Sequence, residues 1–138
     1  MKKLIYNGLG FPIVLKGVQT FEFRGEVLPN MNHREFEDMV FKALLRYPAR
    51  FSGAHLSFVR GYMKLSQKKF ASMLGLSTNA TVSGWEGKKN LATGMPVTAE
   101  VVIRLIMADF IGDDTFASHF REFLEIDALP SDLEMKVA

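Results

Sequence analysis

The side chains with most to offer chemically lie within residues 65–89, LSQKKFASMLGLSTNATVSGWEGKK. Gln67, Thr78, Asn79, Thr81 and Ser83 carry amides and hydroxyls, Ala80 a methyl, and Lys68, Lys88 and Lys89 ammonium groups. This set suits hydrogen bonding and charge neutralisation, not covalent catalysis. An Asn amide can pair with both hydrogen-bonding positions on an adenine edge. Thr offers a hydroxyl or a methyl, and Ala can touch a thymine methyl. A neutral amide beside the free N–H groups of a helix start can hold a phosphate, and lysines bind phosphate as point charges. Each residue also has a plainer use. Ser77, Thr78 and Asn79 can simply cap the helix they precede, Gln67 can be an exposed helix former, and the lysines can be solvated surface.

Other chemistries find little support. The chain has no cysteine, which excludes disulfides, thiolate metal sites and thiol nucleophiles. His33, His55 and His119 are far apart and lack metal-ligand spacing, so they read as surface or capping residues. Asp113-Asp114 reads as a helix cap with favourable dipole charge. No Ser/His/Asp set, phosphate loop or dinucleotide fingerprint is present. We therefore expect no catalytic residue, no metal, no cofactor and no enzyme activity.

Two short helices must position the polar set. Ser66 can cap the first, whose apolar face is Phe70, Met73 and Leu74 at helical spacing. Gly75 sits where a helix end favours a left-handed residue. Ser77 or Thr78 can cap the second, which carries Val82 and Trp85 inward and ends near Gly87. Two such helices joined by a Gly-containing turn form a helix-turn-helix, whose second helix enters the DNA major groove.

The pattern Leu65-Ser66-Gln67, Phe70-Ala71, Leu74-Gly75-Leu76-Ser77, Thr81-Val82-Ser83, Trp85-Glu86, Gly87-Lys88 resembles the XRE-type, phage-repressor-like helix-turn-helix. The resemblance implies that Gln67 contacts the DNA backbone and braces the recognition helix at about 78–87. It also implies base or phosphate contacts from Thr78, Asn79, Ala80, Thr81 and Ser83. Two departures stand out. Three residues, Thr78, Asn79 and Ala80, separate Ser77 from the Thr-Val-Ser that follows, where the family has two. Gly84 replaces a long polar side chain that often reads bases. Either the backbone approaches DNA closely there or the position reads nothing, which leaves more of the specificity to DNA shape.

Charge supports nucleic acid as partner. The whole chain has a net charge of only +2. Residues 54–90 hold six Lys/Arg against Glu86 alone, whereas residues 91–138 hold three basic against nine acidic residues. Positive charge therefore collects on the helix-turn-helix, as phosphate binding requires. One such unit reads few base pairs, so a homodimer on a palindrome is expected.

The flanking segments complete an α+β reading: a small N-terminal β-meander plus helix, then a five-helix repressor-like domain. Residues 1–50 form the first module, residues 51–125 the DNA-binding domain and residues 126–138 an acidic tail, either a docking segment or mobile. In the meander, residues 3–6, 13–15 and 18–23 are strands, with Val27 and Leu28 extending the third. Asn32 and Glu35 have the form of a capping box for a helix over 32–47, which Pro48 stops. Ser52-Gly53 opens a helix over 54–64. Thr98 caps a fourth helix that Gly112 ends, and Asp113 or Asp114 caps a fifth. That last helix bears Phe116, Phe120 and Phe123, either part of a dimer interface or plain core.

The order β-hairpin, helix, Ser52-Gly53-Ala54, Phe58-Val59-Arg60, helix-turn-helix also resembles MqsA-type antitoxins. There the N-terminal module usually binds zinc through a Cys-x-x-Cys before a Gly-Glu pair. Gly25-Glu26 is present here, but Phe21 and Arg24 stand where the thiolates would be. This likeness implies an alternative role: an antitoxin whose N-terminal module or acidic C-terminal part masks a basic toxin protein. Lys2 and Lys3 precede only a short apolar run, and residues 101–111 are broken by Arg104 and Asp109. We therefore expect neither a leader nor a membrane span, and a cytoplasmic location.

Overall fold

The computed structural model describes residues 3–137; Lys2, part of the leader reading, lies outside them. The fold is α+β. In chain order it comprises β1 (Lys3–Tyr6), β2 (Ile13–Lys16), β3 (Thr20–Phe23), β4 (Glu26–Pro29), α1 (His33–Leu45), α2 (Gly53–Tyr62), α3 (Gln67–Met73), α4 (Ala80–Glu86) and α5 (Val97–Ile111). Two 3₁₀ turns follow, Phe116–Ser118 and Phe120–Glu125, and then β5 (Leu133–Lys136). The chain divides into two compact units. One joins the residues up to Arg46 with those from Asp132 onward; the other is Tyr47–Ser131.

In the first unit the expected three-strand meander is replaced by two separate sheets. One has the order β1-β2-β5 and the other pairs β3 with β4. The reason lies in β2. Ile13, Val14 and Leu15 are all buried, so this strand has no solvent face and needs a neighbour on each edge. β1 pairs on one side, antiparallel, and β5 on the other, parallel. The acidic tail is therefore not an appendage. Leu133 and Met135 are buried while Glu134 and Lys136 face water, the alternation of a half-buried strand. Val27 and Leu28 do not extend β3. The chain turns at Arg24-Gly25, both with positive φ, and returns as β4. Asn32 caps α1 by accepting from the N–H groups of Arg34 and Glu35. α1 buries Phe36, Val40, Phe41, Leu44 and Leu45, and Tyr6 meets Phe36 edge to face at 5.2 Å. The helix ends at Leu45, short of the expected Tyr47, because the residues before Pro48 are pushed out of helical geometry.

The second unit is closed by Tyr47. Its hydroxyl accepts from the Ser131 N–H at 2.7 Å and donates to the Ser131 carbonyl. Inside lies a charged cluster that sequence periodicity does not reveal. The Glu100 carboxylate, 1% exposed, accepts from the Phe51 N–H at 2.8 Å and sits 3.2 Å from Arg50 Nε and 3.3 Å from Arg104 Nη2. Arg104, fully buried, also donates to the Ala49 carbonyl at 2.9 Å. Its guanidinium lies between the rings of Phe51 and Phe123, 4.4 and 4.8 Å from their centroids. Burial pulls the Arg104 guanidinium down to about 10 while Glu100 opposes the shift, so it stays charged at neutral pH.

Two helical expectations change in this unit. α5 starts directly after Pro96, so Thr98 lies inside the first turn instead of capping it. The fifth helix is a pair of 3₁₀ turns. Asp113 caps them by accepting from the N–H groups of Thr115 and Phe116. Phe116 and Phe123 are buried, so they are core and not a dimer interface. No helix among the described residues is long and apolar enough to cross a membrane.

Ser52 and His55 cap α2 reciprocally. Ser52 Oγ accepts from the His55 N–H at 3.1 Å, and His55 Nδ1 accepts from the Ser52 N–H at 3.0 Å. The imidazole is buried and must be neutral to accept at Nδ1. Burial, then the nearby Arg104 charge, lower it from 6.5 to about 4. The unfolded chain therefore takes up this proton first. Stability from the neutral imidazole is complete above about pH 6.5 and drains toward pH 4, at about 1.4 kcal/mol per pH unit. Urea unfolding across this range should show that loss. His55→Gln, which can keep the cap without titrating, should flatten the slope; identical slopes in the two proteins would refute the assignment.

Candidate nucleic-acid interface

The helix-turn-helix forms where the residue pattern places it. Ser66 Oγ accepts from the Lys69 N–H at 3.0 Å and starts α3. Phe70 and Ala71 are buried, but Met73, expected inward, is 43% exposed. Gly75 takes φ 76°, and the Leu76 N–H donates back to the Ala71 carbonyl at 2.9 Å, closing the helix end. Gly suits this position because it enters the left-handed region without a Cβ clash.

α4, expected to start at 78, begins at Ala80. Thr78 Oγ1 accepts from the Ala80 N–H at 3.0 Å, whereas Asn79 occupies the cap position and makes no side-chain capping bond. The extra residue is thus absorbed in the turn ahead of the helix. Capping falls to Thr78, and the Asn79 amide is not used by it. With about 100° per residue, α4 sorts cleanly. Val82 is fully buried, and Trp85, expected in the core, and Glu86 are half-buried on the same side. The opposite arc holds Ser83, Gly87, Ala80 and Gly84, with Thr81 at its edge, and all five are exposed. A Cβ placed on Gly84 would meet nothing within 4 Å. The outward surface of α4 therefore consists of short side chains only.

Three residues given no site role from sequence fix α4 in place. Glu86, the one acid of the basic stretch, turns inward. Its carboxylate accepts from Arg60 Nε at 2.6 Å and Arg60 Nη2 at 2.9 Å, and from Gln67 Nε2 at 3.2 Å. Arg60 Nη1 also donates to the Leu65 carbonyl at 2.8 Å. Bonding to Glu86 raises the Arg60 guanidinium above its usual value. Gln67, half-buried, thus ties α3 to α4. The third residue is Gly53. A Cβ there would lie 2.5 Å from the Trp85 carbonyl oxygen and 2.8 Å from both Glu86 O and Lys89 N. The Ala54 N–H donates to the Lys89 carbonyl at 2.8 Å. The start of α2 is therefore seated against the end of α4. A signal for the ion pair was available, since a lone acid among six bases invites a partner.

Lys68, Lys69, Lys88 and Lys89 are all exposed. Lys89 is held in a left-handed conformation, φ 55°, by the contacts around its backbone. With Glu86 turned inward, the exposed charge of α3, α4 and the turn after them is uniformly positive.

Gly53 and Gly61 lie in one helix, and the same substitution should have opposite effects there. Gly53→Ala must push apart two backbone segments and should cost about 1–3 kcal/mol. Gly61→Ala enters open space and should stabilise by about 0.5–1 kcal/mol through helix propensity. Thermal or urea unfolding of both variants measures this; equal effects would show that α2 does not seat on α4 as described. No protein-family model, curated protein or solved structure matches this chain.

Proposed function

We propose that this chain is a sequence-specific DNA-binding transcriptional regulator, repressor-like, that acts as a homodimer through α4. The observation that carries this reading is the combination on the helix-turn-helix surface. A uniformly cationic exterior surrounds a recognition helix whose outward groups serve no fold-stabilising role. Lys68, Lys88 and Lys89 anchor phosphates. Asn79, with Thr81 and Ser83, reads base edges, and Ala80 contacts a thymine methyl. Gln67 orients α4 through Glu86 while lying beside the start of α3, where a phosphate would approach.

The antitoxin reading is weaker. It draws on the MqsA-type layout and on the acidity of residues 91–138. Of those acids, Glu100 is buried in the interior cluster and Glu134 pairs with Lys16 at 3.2 Å. Asp113 is engaged in capping a turn.

Selection of bound sequences from a random duplex library tests the leading reading. At about 50 mM salt a defined sequence family should be enriched, with affinity falling steeply as salt rises. Replacing both Lys88 and Lys89 with Ala should make the salt slope shallower by about 2 per bound protomer, about 4 for the dimer, and weaken all duplexes alike. Asn79→Ala should cost about 1–3 kcal/mol on the selected sequence and little on others. Absence of any retained duplex would end the proposal. Gly84→Ala sharpens it: the folded protein should gain about 1 kcal/mol of stability. If the α4 backbone meets DNA closely, the same variant should bind the selected duplex at least about tenfold more weakly, a loss of about 1.4 kcal/mol. Unchanged binding would mean that the groove floor lies clear of this position.

A further inference from the structure

Among the described residues of the second unit, five take a left-handed backbone. Three are Gly75, Gly94 and Gly112; the other two are Lys64 and Lys89. An L side chain in this region crowds the following carbonyl, so each lysine costs stability that glycine would not. Lys64, φ 57°, lies just past the end of α2. Its N–H donates to the Gly61 carbonyl at 3.0 Å, and the Leu65 N–H to the Arg60 carbonyl at 3.2 Å. Glycine is the usual residue at this point of such a helix end. A cation there suits the helix dipole, but any position in the last turn would supply that without strain. Lys64 is exposed, and its ammonium has no partner among the described residues. Strain kept at an exposed cation that serves no contact within the chain is a sign of use outside it.

We propose that Lys64 is a further DNA-binding residue, a cation pre-set by its turn to hold a backbone phosphate across the major groove from Lys89. This rests on the DNA-binding reading and adds a residue to it. The turn is locked to α4. One guanidinium, that of Arg60, binds Glu86 of α4 through Nε and Nη2 and the Leu65 carbonyl through Nη1 at 2.8 Å. Lys64 therefore keeps a fixed offset from the helix that enters the groove. Its distance from Lys89 also fits. The Lys89 carbonyl accepts from the Ala54 N–H at the start of α2, and Lys64 follows the end of that helix. The ten residues of α2 put the two lysines about 15 Å apart along its axis. The major groove is about 12 Å wide, and flexible lysine side chains absorb the difference, so each ammonium can meet one rim. A phosphodiester is the ligand such a pair suits, because lysine binds it as a point charge and needs no second polar group beside it.

Three variants of the full chain separate strain from contact. Lys64→Gly removes both strain and charge. Its melting midpoint should rise by about 2–4 °C. Its binding to every duplex should weaken roughly three- to tenfold at about 50 mM salt, with a salt slope shallower by about 0.9 per bound protomer. Lys64→Gln removes the charge alone and should show the same binding loss without the gain in midpoint. Lys64→Arg should bind and melt as the native chain does. Duplexes with one neutral methylphosphonate at each position in turn locate the contact. At one position the substitution should weaken the native protein and leave Lys64→Gln unaffected. A Lys64→Gly protein that melts no higher than the native one would refute the strain. An unchanged slope in Lys64→Gln, or no position that distinguishes it from the native protein, would refute the contact. The two readings fail differently. A native protein that retains no duplex at low salt defeats the DNA reading and this one with it, whereas native binding that the Lys64 variants match defeats only the assignment of Lys64.

Discussion

The close seating of α2 on α4 is the constraint from which the candidate interface follows. A seven-residue helix is too short to hold its orientation by propensity, so its direction has to be imposed by tertiary contacts. At one end of the contact, Gly53 lets two backbones approach to a distance that no side chain permits. At the other, the Arg60 guanidinium grips Glu86 through two parallel bonds, a geometry that fixes angle as well as distance. Gln67 brings α3 to the same carboxylate. One acid thus links the three helices that define the surface, and its inward turn leaves that surface positive.

The start of α2 is in turn held by charge buried deeper in the unit. Glu100 binds the Phe51 N–H, Arg104 binds the Ala49 carbonyl, and Ser52 and His55 close the cap. The segment 49–52 would otherwise run as an irregular strand with buried polar backbone groups, which is costly unless each finds a partner. An ion pair this buried contributes little net stability compared with an apolar replacement, but removing one partner is severe. Its value here lies in position. It sets where Gly53 begins and hence where α4 ends.

Much of this was legible in the sequence because the signals are local. Ser66, Asn32 and Gly75 act through neighbours within a few residues, and their roles follow from residue type and spacing. The cationic patch was equally visible from charge counts. The misjudged parts depend on distant segments. β5 pairs with β2 from the opposite end of the chain, and its two buried residues, Leu133 and Met135, are too few to mark a strand within an acidic stretch. Phe116, Phe120 and Phe123 have helical spacing, yet the chain packs them through 3₁₀ turns after Asp113. The Glu100 cluster escaped notice because a buried Glu and Arg four residues apart look, in sequence, like an exposed helical pair.

The short side chains of α4 change what recognition by such a helix would involve. Long side chains reach base edges from a helix held high in the groove. Ala80, Ser83, Gly84 and Gly87 cannot reach, so any base contact at these positions requires the backbone itself to sit deep. Deep seating brings the flanking lysines nearer to phosphate and favours sequences whose groove width accepts a bare helix, so shape would carry a larger share of specificity. It also tightens the demand on orientation, because a few degrees of tilt would lift a short side chain out of range where a long one could adjust. If α4 reads DNA, a helix with so little reach of its own would depend more than most on the contacts behind it. That is where this chain concentrates its glycine approach, its two-bond ion pair and its glutamine brace.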